Sequence, residues 1–357
     1  YDRGKADRTG EGDSVRLCRT NCGSGIIFPV AWSTFYRLGF CRIRLCICHA
    51  GYVECQEGWE ESVLAEKRGT AKKKSRSNER MAQTQKKIAV INDISGFGRC
   101  SITVSLPIIS YLGVQCCPVP TSIFSNHSGY PQYFFDDYTD RLEPYLEMWK
   151  KLGLSFDGIA TGFLGSARQI AIVKKFIREF SKEETQVIVD PVMGDHGKLY
   201  ATYTEQMRTE MKELVQMAHI TTPNLTEACS LVGAPYKEDG WSRKELHEMA
   251  GKIAELGPGK VVITGIPQGE FIANYIYEED GNAQIIRTHK VGTERSGTGD
   301  VFASVIAADG VNGVPFDKSV RRASSFVKKC ILKSIEMEIP KTDGVCFEEI
   351  LYQLKRR

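Results

Sequence analysis

Apolar positions between residues 87 and 331 follow two alternating periods. Short runs rich in β-branched residues, each ending at a polar residue, proline or glycine, predict buried strands. These runs are 88–92, 187–190, 220–222 and 261–264. Between them, apolar residues recur at helical spacing. The alternation predicts an α/β fold with a doubly wound, mostly parallel sheet that carries helices on both faces.

Three helices and one hairpin have recognisable ends in the sequence. Ser242 and Glu245 have the spacing of a capping box, and an apolar stripe at 3-4-3 spacing follows them. Ser166 is expected to begin a second helix, and Asp317 is expected to cap a third. Two alternating runs separated by a polar turn at 280–282 predict a β-hairpin over residues 271–291.

The first eighty residues differ from the rest of the chain. They show no sustained period, they end in a basic tract at 71–80, and the spacing of their six cysteines does not match a paired C-x2-C zinc framework. Met81, a short polar lead and a clean strand then follow, as at an ordinary protein start. We expect residues 1–80 to be an atypical, disordered N-terminal extension and residues 81–357 to form one folded domain.

Composition and charge narrow the class of protein. The chain has 357 residues, with 42% hydrophobic and 25% charged residues, as in ordinary soluble globular proteins. Its net charge of +3 divides into 15 − 10 = +5 for residues 1–80 and 32 − 34 = −2 for the remainder. The main part of the chain therefore gives no reason to expect a nucleic-acid partner. The sequence contains no run of eighteen apolar residues, so it predicts no helix that spans a membrane. The six later cysteines fall within apolar patterns, as is typical of cytosolic proteins.

The most informative segment is Ser296-Gly297-Thr298-Gly299-Asp300, which precedes an apolar helix. Glycines allow the backbone to approach a ligand closely, and free N–H groups at a helix start favour an anion. Asp300 would compete with that anion unless it serves as a general base for a hydroxyl during phosphoryl transfer. From the residues alone, an acid that merely favours the first helical turn explains Asp300 equally well.

Acids also follow two other predicted strands. Asp190 and Asp195 follow the strand at 187–189, and Glu227 follows the strand at 220–222. Carboxylates at neighbouring strand ends can hold Mg²⁺ against nucleotide phosphates, directly or through waters. Each acid also has a structural interpretation, since Asn224 and Glu227 have capping-box spacing and Asp195 lies in a predicted turn.

A third cluster, Phe124-Ser125-Asn126-His127-Ser128-Gly129-Tyr130, combines polar and aromatic side chains. Such a mixture can line a pocket for a planar heteroaromatic ligand, although it also fits a surface turn in which His127 is structural. Neither a Walker-type phosphate loop nor a complete dinucleotide fingerprint is present in the sequence, so a nucleotide would have to bind in another way.

Five separated motifs in one order resemble the pyridoxal kinase branch of the ribokinase-like superfamily. The resemblance covers residues 87–350. The motifs are Phe124-Ser125-Asn126-His127, Gly162-Phe163-Leu164-Gly165-Ser166, Asp190-Pro191-Val192-Met193-Gly194-Asp195, Thr222-Pro223-Asn224-x-x-Glu227 and Gly297-Thr298-Gly299-Asp300. It implies a ribokinase-like kinase domain over 81–357 that moves the γ-phosphoryl group of ATP to the 5′-hydroxymethyl group of a vitamin B6 vitamer.

The resemblance also implies a role for each motif residue. Asp300 would be the base, and the backbone of Gly297, Thr298 and Gly299 would form the anion hole. Asp190 and Glu227, with Asp195, would organise Mg²⁺ and the phosphates. The remaining positions would contact the nucleotide (Thr222 and Thr264) or surround the pyridine ring of the substrate (Asn92, Asp93, Asn126, His127, Ser128 and Phe163).

One pair of residues departs from the family pattern. Many pyridoxal kinases have a Ser-His pair after the first strand, where this chain has Asn92-Asp93. A carboxylate at Asp93 could favour the amine of pyridoxamine, or it could bind an aminopyrimidine as in related pyrimidine kinases. The vitamer preference is therefore open at this stage.

Three functions remain as hypotheses. The first is a cytosolic, homodimeric, Mg²⁺- and ATP-dependent pyridoxal or pyridoxamine kinase, with no nucleic-acid or membrane partner. The second is a hydroxymethylpyrimidine kinase of thiamine synthesis, which would use the same Asp300 chemistry. The third is a non-catalytic B6 or nucleotide sensor on the same fold, against which the intact set of acids and glycines argues.

Overall fold

The computed structural model describes residues 85–354, which belong to a compact unit spanning Ala82–Arg357. The extension expected at 1–80 lies outside the described residues. Its disorder, and the domain boundary at residue 81, therefore stay predictions.

Eleven strands occur in the described residues. They are β1 (Lys87–Phe97), β2 (Gln115–Asn126), β3 (Phe135–Asp137), β4 (Phe156–Thr161), β5 (Ser181–Val189), β6 (Gly194–Asp195), β7 (Lys198–Leu199), β8 (Ile220–Thr221), β9 (Lys260–Gln268), β10 (Phe271–Glu278) and β11 (Ala283–His289). Nine of them form one sheet in the order β11-β10-β9-β8-β5-β4-β1-β2-β3, and β6 and β7 form a separate two-stranded ribbon.

The centre of the sheet is parallel. Strands β2, β1, β4, β5, β8 and β9 are parallel to their neighbours, whereas β3 and β10 add to the two sides in antiparallel fashion. Strands β10 and β11 form the hairpin predicted from the sequence. The predicted mostly parallel α/β fold is therefore confirmed.

Eight α-helices connect the strands of the described chain. They are α1 (Ser101–Tyr111), α2 (Thr139–Lys151), α3 (Ala167–Phe180), α4 (Glu205–Val215), α5 (Leu225–Val232), α6 (Arg243–Ala254), α7 (Thr298–Asn312) and α8 (Phe316–Glu336). Two short 3₁₀ helices follow, at Lys341–Asp343 and Glu348–Leu354.

The helices cover both faces of the sheet and bury two apolar clusters. Helices α2 to α6 pack on one face, and α1, α7 and α8 pack on the other. Along β1, Ala89 and Ile91 face the first cluster while Ile88 and Val90 face the second. This alternation explains why the buried stretches 88–91, 187–189 and 261–263 are apolar at consecutive positions, since neither face meets water there.

Two predicted helix starts are confirmed and one is wrong. Ser166 accepts a hydrogen bond from Gln169 N, and Ser242 forms the capping box with Glu245. Asp317 is not the cap of α8, because that helix begins at Phe316 and Pro315 precedes it without a capping side chain. Burial of Phe316 against the second cluster extends the helix one residue toward its start, which leaves Asp317 in the first turn.

The predicted strands exist, but several are longer than the sequence indicated. Strand β1 continues to Phe97, β5 begins at Ser181, and β9 continues to Gln268. Asn92 and Thr264, the polar residues that seemed to end two of these strands, are instead paired with neighbouring segments, so pairing and not side-chain polarity sets the ends of β1 and β9.

We predict that Gly158→Ala destabilises the fold. A Cβ at this position of β4 would overlap the side chain of Val311 in α7 and press on Ile88 in β1. Overpacking of this kind costs about 1–3 kcal/mol. Urea denaturation should show a lower free energy of unfolding.

Gly251→Ala is the matched control. A Cβ at Gly251 in α6 would make only ordinary contacts with Tyr277. Because alanine favours helix by up to about 1 kcal/mol over glycine, this variant should be slightly more stable than the wild type. Equal stabilities for the two variants would contradict the packing described between β4 and α7.

Candidate active site

Strands β1, β4, β5 and β8 bring polar residues to one edge of the sheet, at their carboxyl ends. Asn92 and Asp93 lie on β1, Asp190 follows β5, and Thr222 follows β8. Helix α7 begins at the same edge with Asp300 in its first turn. The sequence-predicted catalytic and nucleotide residues therefore meet where ligands bind in open α/β sheets.

The start of α7 requires glycine. Gly297 is the N-cap and has a left-handed φ of 81°. A Cβ there would also overlap the carbonyl oxygen of Arg99, so a larger residue is excluded by space as well as by conformation. The loop after β1 and the start of α7 are thereby held together.

The first turn of α7 is open to a ligand. Gly297 provides no capping side chain, and a Cβ built on Gly299 would meet nothing within 4 Å. The free N–H groups at the end of a fifteen-residue helix carry partial positive charge. This turn therefore has the geometry and electrostatics of an anion site.

Asp300 is half-buried between two helix starts. Its carboxylate accepts hydrogen bonds from the backbone N–H of Ser101, the first residue of α1, and from Asn92 Nδ2 at 3.4 Å. Burial raises the pKa of Asp300 to about 6, and the charge of Asp93 adds to the rise, while the Ser101 and Asn92 donors oppose it. A base with a pKa near 6 is ionised at neutral pH and can still take up a proton.

Asn92 joins three segments of the site. Its Oδ1 accepts from the backbone N–H of Phe163 at 2.8 Å and of Asp93 at 3.0 Å, and this leaves Nδ2 to donate to Asp300. The close approach requires Gly162, because a Cβ there would overlap the Asn92 side chain. Asn92 therefore positions the base and the β4–α3 loop. The resemblance in sequence had instead implied that Asn92 surrounds the pyridine ring of the substrate.

The Asp93 carboxylate is buried and engaged by the protein. Its two oxygens accept from Ser101 Oγ at 2.6 Å and from Ser95 Oγ at 3.0 Å. Burial raises the pKa of Asp93, and the two serine hydroxyls oppose that rise. The geometry thus does not present this carboxylate to a substrate amine or aminopyrimidine, in contrast to the interpretation drawn from the sequence.

Asp190 faces Asp300 at the end of β5. Thr222 Oγ1 donates to Asp190 Oδ1 at 3.0 Å, so the predicted nucleotide residue Thr222 orients this acid. Burial raises the pKa of Asp190 well above its usual range, and the charge of Asp300 contributes to the shift. A buried carboxylate whose pKa is raised by a second carboxylate in this way would be stabilised by a cation.

Glu227 has a structural role that the sequence spacing suggested. It closes the capping box of α5, with Oε2 accepting from Asn224 N at 2.8 Å, and Oε1 accepts from Met193 N at 3.2 Å. Burial raises its pKa, and the nearby charge of Asp190 adds to the effect. Both oxygens already have donors, so Glu227 supplies mainly negative charge behind Asp190.

Asp195 lies on the exposed ribbon of β6 and β7, apart from the other acids. Its carboxylate accepts from His196 N at 2.8 Å, and His196 Nε2 lies 2.9 Å from Glu294 Oε2 in the loop before α7. Tyr200, directly after β7, faces this acidic region. Burial raises the pKa of Tyr200 to about 12, and the charges of Glu227, Asp195, Asp190 and Asp300 contribute.

The predicted metal residues do not form a cluster by themselves. Within residues 85–354, no three His, Cys, Asp or Glu side chains lie close enough together to bind a metal ion. Asp190 nevertheless fits a hard cation. It offers carboxylate oxygen, its Oδ2 has no hydrogen-bond donor among the described residues, and its charge is poorly compensated.

Residues of the aromatic cluster hold the loop after β2 together. Asn126 Nδ2 donates to Gln132 O at 2.8 Å. Gly129 N donates to His127 Nδ1, so Nε2 carries the proton that is donated to Thr342 O at 2.6 Å. Both side chains are therefore occupied internally, as the structural interpretation of His127 expected, and Ser128 is exposed.

Two aromatic rings connect the end of β2 with the β4–α3 loop. The rings of Phe124 and Phe163 meet edge to face with centroids 6.2 Å apart, and Thr121 Oγ1 donates to Phe163 O at 3.0 Å.

Thr264 is the other residue predicted to contact the nucleotide. It pairs with Asn224, and its backbone N–H donates to Pro223 O. It is partly exposed at the same edge of the sheet.

Two residues of the site were not predicted from the sequence. Ser101 donates to both Asp93 and Asp300, and Tyr200 lies near enough to four acids for their charges to raise its pKa. The one available signal was the position of Ser101, at a helix start that follows the first strand. Tyr200 carries no local pattern that marks it.

The arrangement can hold an anion at the α7 start, place an ionised acid beside it, and accommodate a cation at Asp190. This combination is suited to moving a phosphoryl group onto a hydroxyl, because one group accepts the proton while the helix start stabilises the transferred charge.

Comparison with known proteins assigns the chain to a family. The family model described as phosphomethylpyrimidine kinase matches residues 106–344. This range is more than half of the chain, so the protein belongs to the phosphomethylpyrimidine kinase family. The ribokinase-like resemblance seen in the motifs is confirmed.

Solved structures and curated relatives agree with this assignment. A candidate phosphomethylpyrimidine kinase from Bacteroides thetaiotaomicron is 38% identical, covers 77% of this chain and 96% of its own, and superposes with a TM-score of 0.75. Another crystal form of that protein contains pyridoxal. Pyridoxal kinase from Lactobacillus plantarum is 26% identical over 76% of this chain and 97% of its own, with a TM-score of 0.71. Pyridoxine kinase from Bacillus subtilis is 28% identical over 63% of this chain and 81% of its own length.

Among the helices of the described residues, none combines the length and apolar character that a bilayer crossing needs.

We predict that Asp300→Asn raises the melting temperature at pH 8. The folded-state pKa of Asp300 lies near 6, above its ordinary value of 3.8, so the ionised form destabilises the folded state at high pH. Asparagine removes that charge and can still accept from Ser101 N. We expect a gain on the order of 2 °C by scanning calorimetry.

The gain should depend on pH with a defined sign. As the pH falls from about 6 toward 4, the wild type takes up the proton in its folded state, so its deficit relative to the variant should disappear. A difference in melting temperature that is constant from pH 8 to pH 5 would contradict the assignment of a raised pKa to Asp300.

Proposed function

We propose that the protein phosphorylates the 5′-hydroxymethyl group of a vitamin B6 vitamer with ATP, as in the salvage of pyridoxal 5′-phosphate. The enzyme is a phosphotransferase with an alcohol as acceptor. The observation that carries this proposal is the pairing of Asp300 with the open glycine-lined start of α7, opposite Asp190. The curated relatives and the 37% identical structure with pyridoxal support the choice of substrate.

Asp300 acts as the general base. It accepts the proton of the substrate hydroxyl while the new oxygen–phosphorus bond forms and the bond from the γ-phosphorus to the β,γ-bridging oxygen breaks, which releases ADP. Asn92 and the N–H of Ser101 hold the carboxylate in one orientation. Correct orientation lowers the activation free energy of the transfer, because the base and the hydroxyl are already held in reacting geometry.

The start of α7 stabilises the phosphoryl group in transit. The N–H groups of Thr298 and Gly299 lie in the first turn, where the helix dipole is positive, and Gly297 lets the backbone approach the phosphorus closely. These dipoles are fixed before the reaction begins, so they stabilise the transition-state charge without reorganisation.

Asp190 is the residue that would hold Mg²⁺, with phosphate oxygens and waters completing the coordination. Thr222 orients it, and Glu227 adds negative charge from behind. Bound there, Mg²⁺ would neutralise negative charge on the nucleotide phosphates. Asp195 lies on the exposed ribbon and would act on the nucleotide only through water or through movement of that ribbon.

The pyridine ring is proposed to lie between the β4–α3 loop and the loop after β2. Phe163 offers an aromatic face there, and Ser128 is exposed at the neighbouring loop. Asn126 and His127 would shape this pocket by holding the loop, since their side chains are bound within the protein. Thr264, which pairs with Asn224, would contact the nucleotide.

A hydroxymethylpyrimidine kinase is the second candidate function. The description of the matching family model and that of the 38% identical structure both name phosphomethylpyrimidine kinase. Phosphorylation of a hydroxymethyl group would use the same base and anion site, so only the ring pocket separates the two functions.

We further propose a cytosolic homodimer. The six cysteines of the described residues are free thiols, which fits a reducing compartment. Exposed aromatic side chains cluster on and beside the short edge strand β3, and a second subunit would cover them; they are Tyr133, Phe134 and Phe135.

A substrate panel tests the proposed function. ATP consumption is measured with pyridoxal, pyridoxamine, pyridoxine and hydroxymethylpyrimidine, using wild type and Asp300→Asn. We expect turnover of at least one B6 vitamer, and a loss in kcat on the order of 100-fold or more in the variant, because a positioned base contributes about that much. Calorimetric binding of ATP should be nearly unchanged.

Three results would contradict parts of this account. Turnover of hydroxymethylpyrimidine alone would support the second candidate. Binding of vitamer without turnover by the wild type would support a sensor. An equal loss of ATP binding and turnover in Asp300→Asn would assign Asp300 to the structure of the site and not to proton transfer.

A further inference from the structure

The turn at residues 127–130, directly after β2, is bonded to residues that lie far along the chain. His127 Nε2 donates to Thr342 O at 2.6 Å, and Tyr130 OH donates to Asp343 Oδ1 at 2.7 Å. Tyr130 N also donates to His127 O at 3.2 Å, which closes the turn. Both ends of the turn are therefore fixed to two consecutive residues of a distant segment.

The turn is also packed against the end of β1. A Cβ on Gly98 or on Gly129 would overlap the ring of His127, so this ring fills the space between the turn and the loop after β1. The ring of Tyr130 packs on His127 and on Phe97, with centroid distances of 4.8 Å and 5.8 Å. Only a small shift of the turn is possible while these contacts persist.

The distant segment, residues 341–345, is named the clamp segment here because it also holds the loops of the anion site. Asp343 O accepts from Arg99 N at 3.3 Å and from Arg99 Nη1 at 3.2 Å. Gly344 pairs with Arg99 and has a left-handed φ of 83°, and a Cβ there would overlap Arg99. Val345 N donates to Ser296 O at 3.2 Å, directly before the start of α7.

Arg99 connects the clamp segment to the base. Its carbonyl oxygen lies against Gly297 at the start of α7, and two residues later the N–H of Ser101 donates to Asp300. One short segment thus contacts the turn at 127–130 on one side and the loops that hold Asp300 and the anion site on the other.

The bond between Tyr130 and Asp343 is the side-chain contact that joins the two. It links a phenol to a carboxylate, and hydrogen bonds to charged groups are stronger than neutral ones. Burial raises the pKa of Tyr130, and the bond to Asp343 adds to the rise, so the hydroxyl remains a donor.

We propose that Tyr130 and Asp343 are positioning residues, whose hydrogen bond holds the turn at 127–130 in the conformation that receives the vitamer ring. The exposed Ser128 lies between the two fixed ends of this turn. A turn that is already ordered loses little entropy when the ring binds, so the bond favours vitamer binding. The effect on turnover rests on the proposed function, whereas the order of the turn does not.

Steady-state kinetics test the positioning role. Tyr130→Phe removes the hydroxyl and keeps the ring, and Asp343→Ala removes the acceptor. Each should raise the KM for the vitamer roughly 10-fold, as expected when one hydrogen bond to a charged group is lost. The KM for ATP and kcat should stay near the wild-type values, because Asp300 keeps its donors Asn92 and Ser101. An unchanged KM for the vitamer, or an equal rise in both KM values, would overturn the proposal.

A conservative variant and a double variant test whether the two side chains act through one bond. Asp343→Asn should restore most of the vitamer KM, because an amide oxygen can still accept from Tyr130. Tyr130→Phe combined with Asp343→Ala should raise this KM no further than Asp343→Ala alone, since both changes remove the same bond. Effects that multiply would show that the side chains act independently, which would contradict the proposal.

Tyr145→Phe is the matched control. Tyr145 lies in α2, and its hydroxyl donates to Pro118 O at 2.8 Å. This variant also loses one tyrosine hydroxyl and one hydrogen bond to β2, but the bond does not involve the clamp segment. The KM for the vitamer should not change. A rise like that of Tyr130→Phe would show that general loosening of the fold explains the effect, and the proposal would fail.

Hydrogen exchange measured by mass spectrometry tests the order of the turn without any substrate. Amides in residues 126–134 should exchange faster in Tyr130→Phe and Asp343→Ala than in the wild type or in Tyr145→Phe. Equal exchange in all four proteins would overturn the proposal. If the wild type turns over no vitamer, the proposed function fails, while the exchange measurement still decides whether the clamp segment orders the turn.

Discussion

The site depends on a balance between buried negative charge and the positive ends of two helices. Asp300 lies in the first turn of α7 and accepts from the first N–H of α1, so both helix starts act on one carboxylate. Burial and the charge of Asp93 act in the opposite direction. The outcome is an acid that stays ionised at neutral pH, although it is nearer to protonation than an exposed aspartate would be.

The rest of the architecture brings these acids and helix starts together. Parallel strands end together at one edge, so their polar last residues gather there while their apolar residues fill two cores. Glycine is required where backbone segments must nearly touch, at Gly297 against Arg99 and at Gly162 against Asn92. A chain that lost either contact would place Asp300 less accurately, and the chemistry depends on that placement.

Much of this could be predicted from sequence, for identifiable reasons. The α/β class followed from buried strands alternating with amphipathic helices, and the position of Asp300 followed from glycines before an apolar helix. The capping boxes at Ser242 and Asn224 were visible because capping depends on neighbours three residues apart. The role of Asp93 was not visible, because its partners Ser95 and Ser101 only turn toward it once β1 and α1 have packed. The expected cap at Asp317 was wrong because burial of Phe316 decided where α8 begins.

The central claim is that ionised Asp300 accepts the proton of the substrate hydroxyl, and the pH dependence of kcat/KM for the vitamer at saturating ATP tests it most directly. The account predicts a tenfold fall per pH unit on the acid side, with a midpoint near the pKa of about 6 that burial gives Asp300. The residual activity of Asp300→Asn should lack that limb. An acid limb with the same midpoint in the variant, or a wild-type rate that stays flat down to pH 5, would contradict the claim.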